Sequence, residues 1–296
     1  MAEKAHQAGI ELFVLDDGWF GKRNNDTCSL GDWKVNYDKL PSGIDGLAEK
    51  INKIGMKFGL WFEPEMISPD SDLYREHPDW AIHIDEREGV QSRNQMVLDL
   101  SRDEVCEYVI NAVSDILANA NIEYVKWDMN RQLTDMPRLG YNHEYTLGYY
   151  KIMSAITEKF PNILFEGCSA GGGRFDAGVL AYMPQIWTSD NSDAIARLKM
   201  QYSTSMCYPV YSISSHVTAS PNHQCGRVTS LKTRADVAYC GTFGYELDVT
   251  KMSDEEFEEI KAQIEFEKRI HKTFSTLRSG KSRKLLKNAF TVIFRN

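Results

Sequence analysis

The chain has 296 residues, 42% of them hydrophobic and 26% charged, with a formal net charge of −8 and a pI of about 5.5. This composition can bury a substantial core and excludes a disordered chain, and its negative balance argues against a polyanionic partner such as nucleic acid. No stretch approaches the ~18 apolar residues of a membrane span, and the segment Met1 to Gln7 lacks the apolar core of a secretory signal.

Residues 2 to 9 read as the end of a helix. A strand follows from Leu12 to Leu15, then a helix near Ile44 to Ile54 and a second strand from Phe58 to Phe62. Asp103 to Ala120 is the clearest helix: Val105, Val109, Val113, Ile116 and Leu117 fall at helical spacing, with Ser101 as the expected N-cap. Strands are then expected at Tyr124 to Asp128, Ile163 to Glu166, Gln185 to Thr188, Val210 to Ser214 and Thr242 to Leu247. Helices near Tyr145 to Phe160, Ala194 to Met206, Ser230 to Tyr239 and Asp254 to Thr273 separate or follow them. From Lys268 onward the sequence is basic with no acidic residue, and Ala289 to Phe294 could form a lone strand.

This alternation implies a parallel sheet covered by helices. Polar residues sit just after almost every strand: Asp16 and Asp17, Glu63 and Glu65, Asp128 and Asn130, Glu166 and Cys168, Asp190, His216, Glu246 and Asp248. An open doubly wound sheet gathers ligand groups at one switch point, whereas a closed barrel collects them from all its strand ends. The expected fold is therefore a (β/α)8 TIM barrel. Only seven strands are found, so the barrel is expected to be incomplete, its first strand missing. The expected domains are residues 1–272 as barrel and 273–296 as a basic linker with a remnant of a further β domain.

The strongest local cluster is Lys126, Asp128 and Asn130, which alternate onto one face at a strand's carboxyl end. A lysine beside a buried carboxylate keeps it ionised, as a nucleophile requires, although a structural salt bridge would look the same. Asp190 ends another strand among Trp187, Thr188 and Ser189, a partly apolar setting that raises a carboxyl pKa and suits an acid. Asp193, three residues on, reads instead as the complement of a helix dipole. Two carboxylates on different strand ends are what glycosidic chemistry requires. Asp16 and Asp17 beside Trp19 suit sugar recognition, the oxygens accepting from hydroxyls and the indole covering an apolar ring face; an N-cap or metal site is the alternative. Trp61 is either ligand-facing or core. The run Gly167 to Gly173 lacks the Walker lysine and the dinucleotide spacing, so no nucleotide is expected. Six scattered cysteines without a CxxC or zinc-type spacing read as reduced thiols in a cytoplasm, with neither metal nor cofactor expected.

Five motifs resemble, in order, those of bacterial α-galactosidases of glycoside hydrolase family 36. They are Phe13 to Phe20 (FVLDDGWF), Gly59 to Glu65 (GLWFEPE), Val125 to Arg131 (VKWDMNR), Glu166 to Arg174 (EGCSAGGGR) and Trp187 to Asp190 (WTSD). The resemblance implies retaining hydrolysis of terminal α-galactosides such as melibiose and raffinose, with Asp128 as nucleophile and Asp190 as general acid/base. It further implies sugar contacts from Asp16, Asp17, Trp61, Arg93, Lys126, Asn130, Cys168 and Gly171. The partners implied are α-galactoside oligosaccharides, not nucleic acid or membrane. Family members carry a β-sandwich domain before the barrel and a small β domain after it. Exposed strand edges beside a missing strand would favour association, so a homo-oligomer is one expectation. A non-catalytic remnant that binds galactose or does not fold alone, a raffinose-type galactosyltransferase and a phosphate-binding barrel are the competing readings.

Overall fold

Val105, Val109, Val113 and Leu117 are all buried in the computed structural model, which describes residues 1–277 and 291–294. Their one-turn spacing lays a helix against a sheet, and the same pattern repeats around the molecule. In chain order the main elements are α1 (Ala2–Gln7), β1 (Leu12–Leu15), α2 (Gly43–Ile54), β2 (Lys57–Phe62), β3 (Met66–Ile67), α3 (Asp72–Glu76) and β4 (Met96–Val97). There follow α4 (Asp103–Asn119), β5 (Tyr124–Trp127), α5 (Tyr141–Lys159), β6 (Leu164–Gly167), β7 (Gln185–Trp187) and α6 (Ala194–Ser205). The chain continues through β8 (Ile213–Thr218), α7 (Leu231–Ala238), β9 (Thr242–Glu246), α8 (Asp254–Leu277) and β10 (Thr291–Phe294).

β1, β2 and β5 to β10 form one parallel ring in the order β1-β10-β9-β8-β7-β6-β5-β2, while β3 and β4 make a small antiparallel pair outside it. Helix α1 is the first element, as expected of residues 2 to 9, and no strand stands ahead of β1. Seven strands follow one another as a curled sheet, and the place between β1 and β9 is held by β10. Thr291 to Phe294 run in register with Leu12 to Leu15, and Thr291 and Val292 with Gly244 and Tyr245. The strand foreseen at the carboxyl end is thus paired on both sides. The linker foreseen from residue 273 begins inside α8, and residues 278–290 lie outside the described residues.

Two expectations shift. Val210–Ser212 is a 3-10 turn after Pro209 rather than the start of a strand, so β8 begins at Ile213 and His216 lies within it. Val210 and Tyr211 are exposed, so apolar character there did not signal a buried strand. Helix α4 starts with Arg102 at its N-cap position, because the Ser101 hydroxyl donates to Asp99 Oδ1 at 2.6 Å instead.

The larger core lies between sheet and helices, and a small second cluster of Leu12, Val14 and Tyr124 lies within the ring. A side chain at Gly59 would collide with Val14 and Tyr124, which explains its bareness. Above that apolar layer the inward residues turn polar. Buried Glu166 accepts from the amide of Gln185 and the hydroxyl of Ser214, and Lys126 lies 3.8 Å from Asp16 Oδ2. Layered barrel interiors put their polar groups at the carboxyl ends of the strands, where a ligand can reach them.

Candidate active site

Asp128 leaves β5 directly after Trp127 and is 4% exposed. Its backbone N–H still donates to Phe62 O at 2.8 Å, which ties it in register beside the end of β2. Three donors hold its carboxylate: Trp61 Nε1 at 3.1 Å and Asn130 Nδ2 at 2.8 Å on Oδ2, and the Met129 N–H at 2.9 Å on Oδ1. Hydrogen bonds of this kind fix where a carboxylate points. Trp61 is therefore buried, as the core reading had it, and its indole N–H is turned to Asp128. Asn130 is held in turn by Arg93, whose Nη1 donates to its Oδ1 at 2.6 Å, and its own backbone N–H donates to Glu63 Oε1 at 2.5 Å. Arg93 itself is exposed and adopts a left-handed φ of 52°.

Burial and the neighbouring Asp128 charge push the Glu63 carboxyl up to about 8. Glu65, two residues on, is fully buried. Arg174 donates to both its oxygens at 2.7 and 2.8 Å, with Trp127 Nε1 and the Tyr145 hydroxyl at 2.8 Å each. This network locks the glycine-rich loop that carries Arg174 to the strands that carry Trp61 and Asp128.

Cys168 follows β6, is 3% exposed, and its thiol lies 3.9 Å from Asp190 Oδ1. Burial, then the Asp128 charge and, more weakly, Asp190 push the thiol well above its usual range, so Cys168 stands as a neutral thiol close to both carboxylates. Asp190 is half-buried after β7, where Trp187 Nε1 also donates to its Oδ1 at 3.2 Å. Gly171 has φ of +93°, and a Cβ there would stand 2.6 Å from Ser189 Cα. Only glycine lets this loop lie against the segment that carries Asp190.

Asp16 is 2% exposed and its Oδ1 accepts the Asp17 N–H at 2.8 Å. Lys126 pairs with Asp16, the carboxylate after β1, whereas the sequence reading had set this lysine beside Asp128. Asp17 is met by Arg23, with Nε at 3.0 Å and Nη2 at 2.8 Å. Trp19 departs from expectation: it is 2% exposed, packed edge-on against Phe20 and Phe62, and donates to Trp61 O at 2.9 Å. It supports the site from the core and covers no sugar face. Asp193 caps α6 by accepting from the Ala196 N–H and pairs with Arg227, as its position after the strand suggested.

The expected residues thus gather at the carboxyl face of the barrel. The sequence reading missed Arg23 and Gln224; Gln224 Nε2 donates to Asp190 O at 2.5 Å while its Oε1 accepts the Ser192 N–H at 3.0 Å. Both sit in loops without periodicity, so no local pattern pointed to them. Among the described residues no His, Cys, Asp and Glu cluster could hold a metal ion, and no helix is long and apolar enough to cross a membrane.

The sequence profile described as Melibiase matches residues 1–276. The chain belongs to the melibiase family. The α-galactosidase AgaA of Geobacillus stearothermophilus is 55% identical over 280 residues, which make up 92% of this chain and 38% of that protein. The bifunctional α-galactosidase/sucrose kinase AgaSK of Mediterraneibacter gnavus is 52% identical over 277 residues, covering 94% of this chain and 29% of its own length. Among solved structures, a substituted AgaA in complex with raffinose superposes with a TM-score of 0.89 at 55% identity, covering 91% of this chain and 39% of that one. The chain spans less than two fifths of the length of these relatives, and its barrel is that of the glycoside hydrolase family 36 enzymes.

Proposed function

We propose that the chain carries the hydrolytic centre of a retaining α-galactosidase acting on raffinose- and melibiose-type oligosaccharides. The observation that carries this reading is the Asp128 carboxylate, held by three donors at the barrel mouth, with the Cys168 thiol 3.9 Å from the second carboxylate, Asp190. Asp128 attacks the anomeric carbon and forms a glycosyl ester as the C1–O bond to the aglycone breaks, and Asp190 gives its proton to the leaving oxygen. In the second step Asp190 takes a proton from water, the oxygen of which attacks C1 and frees Asp128. The side chains at the mouth suit a galactosyl ring: Asp16, Asp17 and Asn130 accept or donate to hydroxyls, and Lys126 and Arg93 supply cationic donors. Trp61 and Cys168 bound the pocket, and Gly171 lets its loop close against the segment that carries Asp190. The bound raffinose of the AgaA relative supports the substrate class. Six free thiols, three of them exposed, suit a reducing cytoplasm.

The test is release of p-nitrophenol from p-nitrophenyl α-galactoside by the purified chain. Turnover is expected, with Asp128→Ala lowering kcat by roughly 10³-fold or more. A wild-type chain no faster than Asp128→Ala would overturn the reading. A second reading, galactose binding without turnover, is favoured by the small share of the relatives' length that the chain spans. Calorimetry showing galactose binding in a chain that releases no p-nitrophenol would establish it.

A further inference from the structure

Glu63 and Asp128 follow adjacent strands directly. The register pairs Trp61 with Lys126 and Phe62 with Trp127, so the next residue on each strand brings the two carboxyl groups side by side. Glu63 is 2% exposed, and its Oε1 accepts the backbone N–H of Asn130. The same Asn130 places its amide on Asp128 Oδ2 and receives Arg93 on its own carbonyl. Nothing in the hydrolytic steps above uses Glu63.

We propose that Glu63 is a positioning residue for the Asp128 carboxylate, acting through the backbone and side chain of Asn130. Two properties are required of it. It must accept the Asn130 N–H, so that the amide stays aimed at Asp128, and it must do so without a second negative charge. Two buried carboxylates side by side do not both ionise readily, and an anionic Glu63 would push a proton onto its neighbour. The groups that face it are consistent with this division. Burial and Asp128 hold the Glu63 proton on, while the Asn130 hydrogen bonds and the Arg93 charge oppose them less strongly. Glu63 thus serves as a neutral carboxylic acid beside Asp128.

The inference rests on the α-galactosidase reading for its kinetic arm, and a second arm is independent of turnover. In 15N-labelled chain the Asn130 backbone amide is expected to titrate on the alkaline side of neutrality and to become flat in Glu63→Gln. An amide that does not titrate, or that titrates equally in Glu63→Gln, overturns the link. With p-nitrophenyl α-galactoside, Glu63→Ala is expected to lower kcat by roughly 10–100-fold with KM moved by less than about threefold. Glu63→Gln, which keeps the acceptor and lacks the charge, is expected to restore most of that loss. Equal losses in both variants, or none in Glu63→Ala, overturn the proposal. A wild-type chain that releases no p-nitrophenol counts against the α-galactosidase reading, and the amide titration then decides the role of Glu63 alone.

Discussion

Trp61 shows how much one side chain at a strand end does in this site. Its ring packs with Phe20 and Trp33, and its Nε1–H reaches Asp128 at 3.1 Å. Replacement by phenylalanine keeps an aromatic ring in the cluster and removes one hydrogen bond to a charged acceptor, worth about 1.5–3 kcal/mol. Trp61→Phe is therefore expected to lower kcat/KM by roughly 10–100-fold with the fold intact, measured by steady-state kinetics beside a circular dichroism spectrum. Activity within about threefold of wild type would mean that Asn130 and the Met129 N–H hold the carboxylate by themselves. At this scale the sequence was readable wherever a residue ended a strand, because the period of two fixes which side chains face the mouth. Asp16, Asp128 and Cys168 follow that rule directly, while Asn130 and Asp190 lie three residues past the ends of β5 and β7. Arg93 came from the family motif rather than from periodicity. Arg23 and Gln224 depend on where long loops return, which no local pattern encodes.

At the scale of elements, the choice between Asp190 and Asp193 illustrates how a helix start separates two carboxylates three residues apart. Asp193 Oδ2 accepts the Ala196 N–H at 3.0 Å and Arg227 Nε at 3.2 Å, so this carboxylate serves the start of α6. Loss of an N-cap costs about 0.5–2 kcal/mol. Asp193→Ala is expected to lower stability by roughly that amount in urea denaturation and to leave kcat within a few-fold, whereas Asp190→Ala removes turnover with little change in stability. If Asp193→Ala abolished activity as fully as Asp190→Ala, the acid/base assignment would have to be reopened. Helices with a regular apolar stripe and strands bounded by acids were legible to within a few residues. The region before β8 was not, because Pro209 starts a 3-10 turn whose apolar residues face solvent, and a short apolar run carries no label for which way it points.

For the whole molecule the deciding feature is closure of the ring. Parallel barrels are stable because no strand has a free edge, and each edge left open exposes a row of N–H and C=O groups. The sequence shows seven strands in order and a basic carboxyl-terminal run; periodicity cannot tell where a short apolar segment so far along the chain will pair. In the structure β10 lies between β1 and β9, with Val292 opposite Phe13 on one side and Tyr245 on the other. Proline at a strand position paired on both sides has no N–H for the ladder and is tolerated only at edges. Val292→Pro is thus expected to open the ring at this place alone, far in sequence from every catalytic residue. One lost ladder bond with its unpaired partner corresponds to about 1–3 kcal/mol, a fall in melting temperature of roughly 2–10 °C. The unpaired edges of β1 and β9 are then expected to drive concentration-dependent association, seen by light scattering. Asp16, which follows β1, would lose its fixed distance from Lys126, so kcat/KM should fall together with the melting temperature. An unchanged melt and a monodisperse variant would show that β1 and β9 close the barrel without β10.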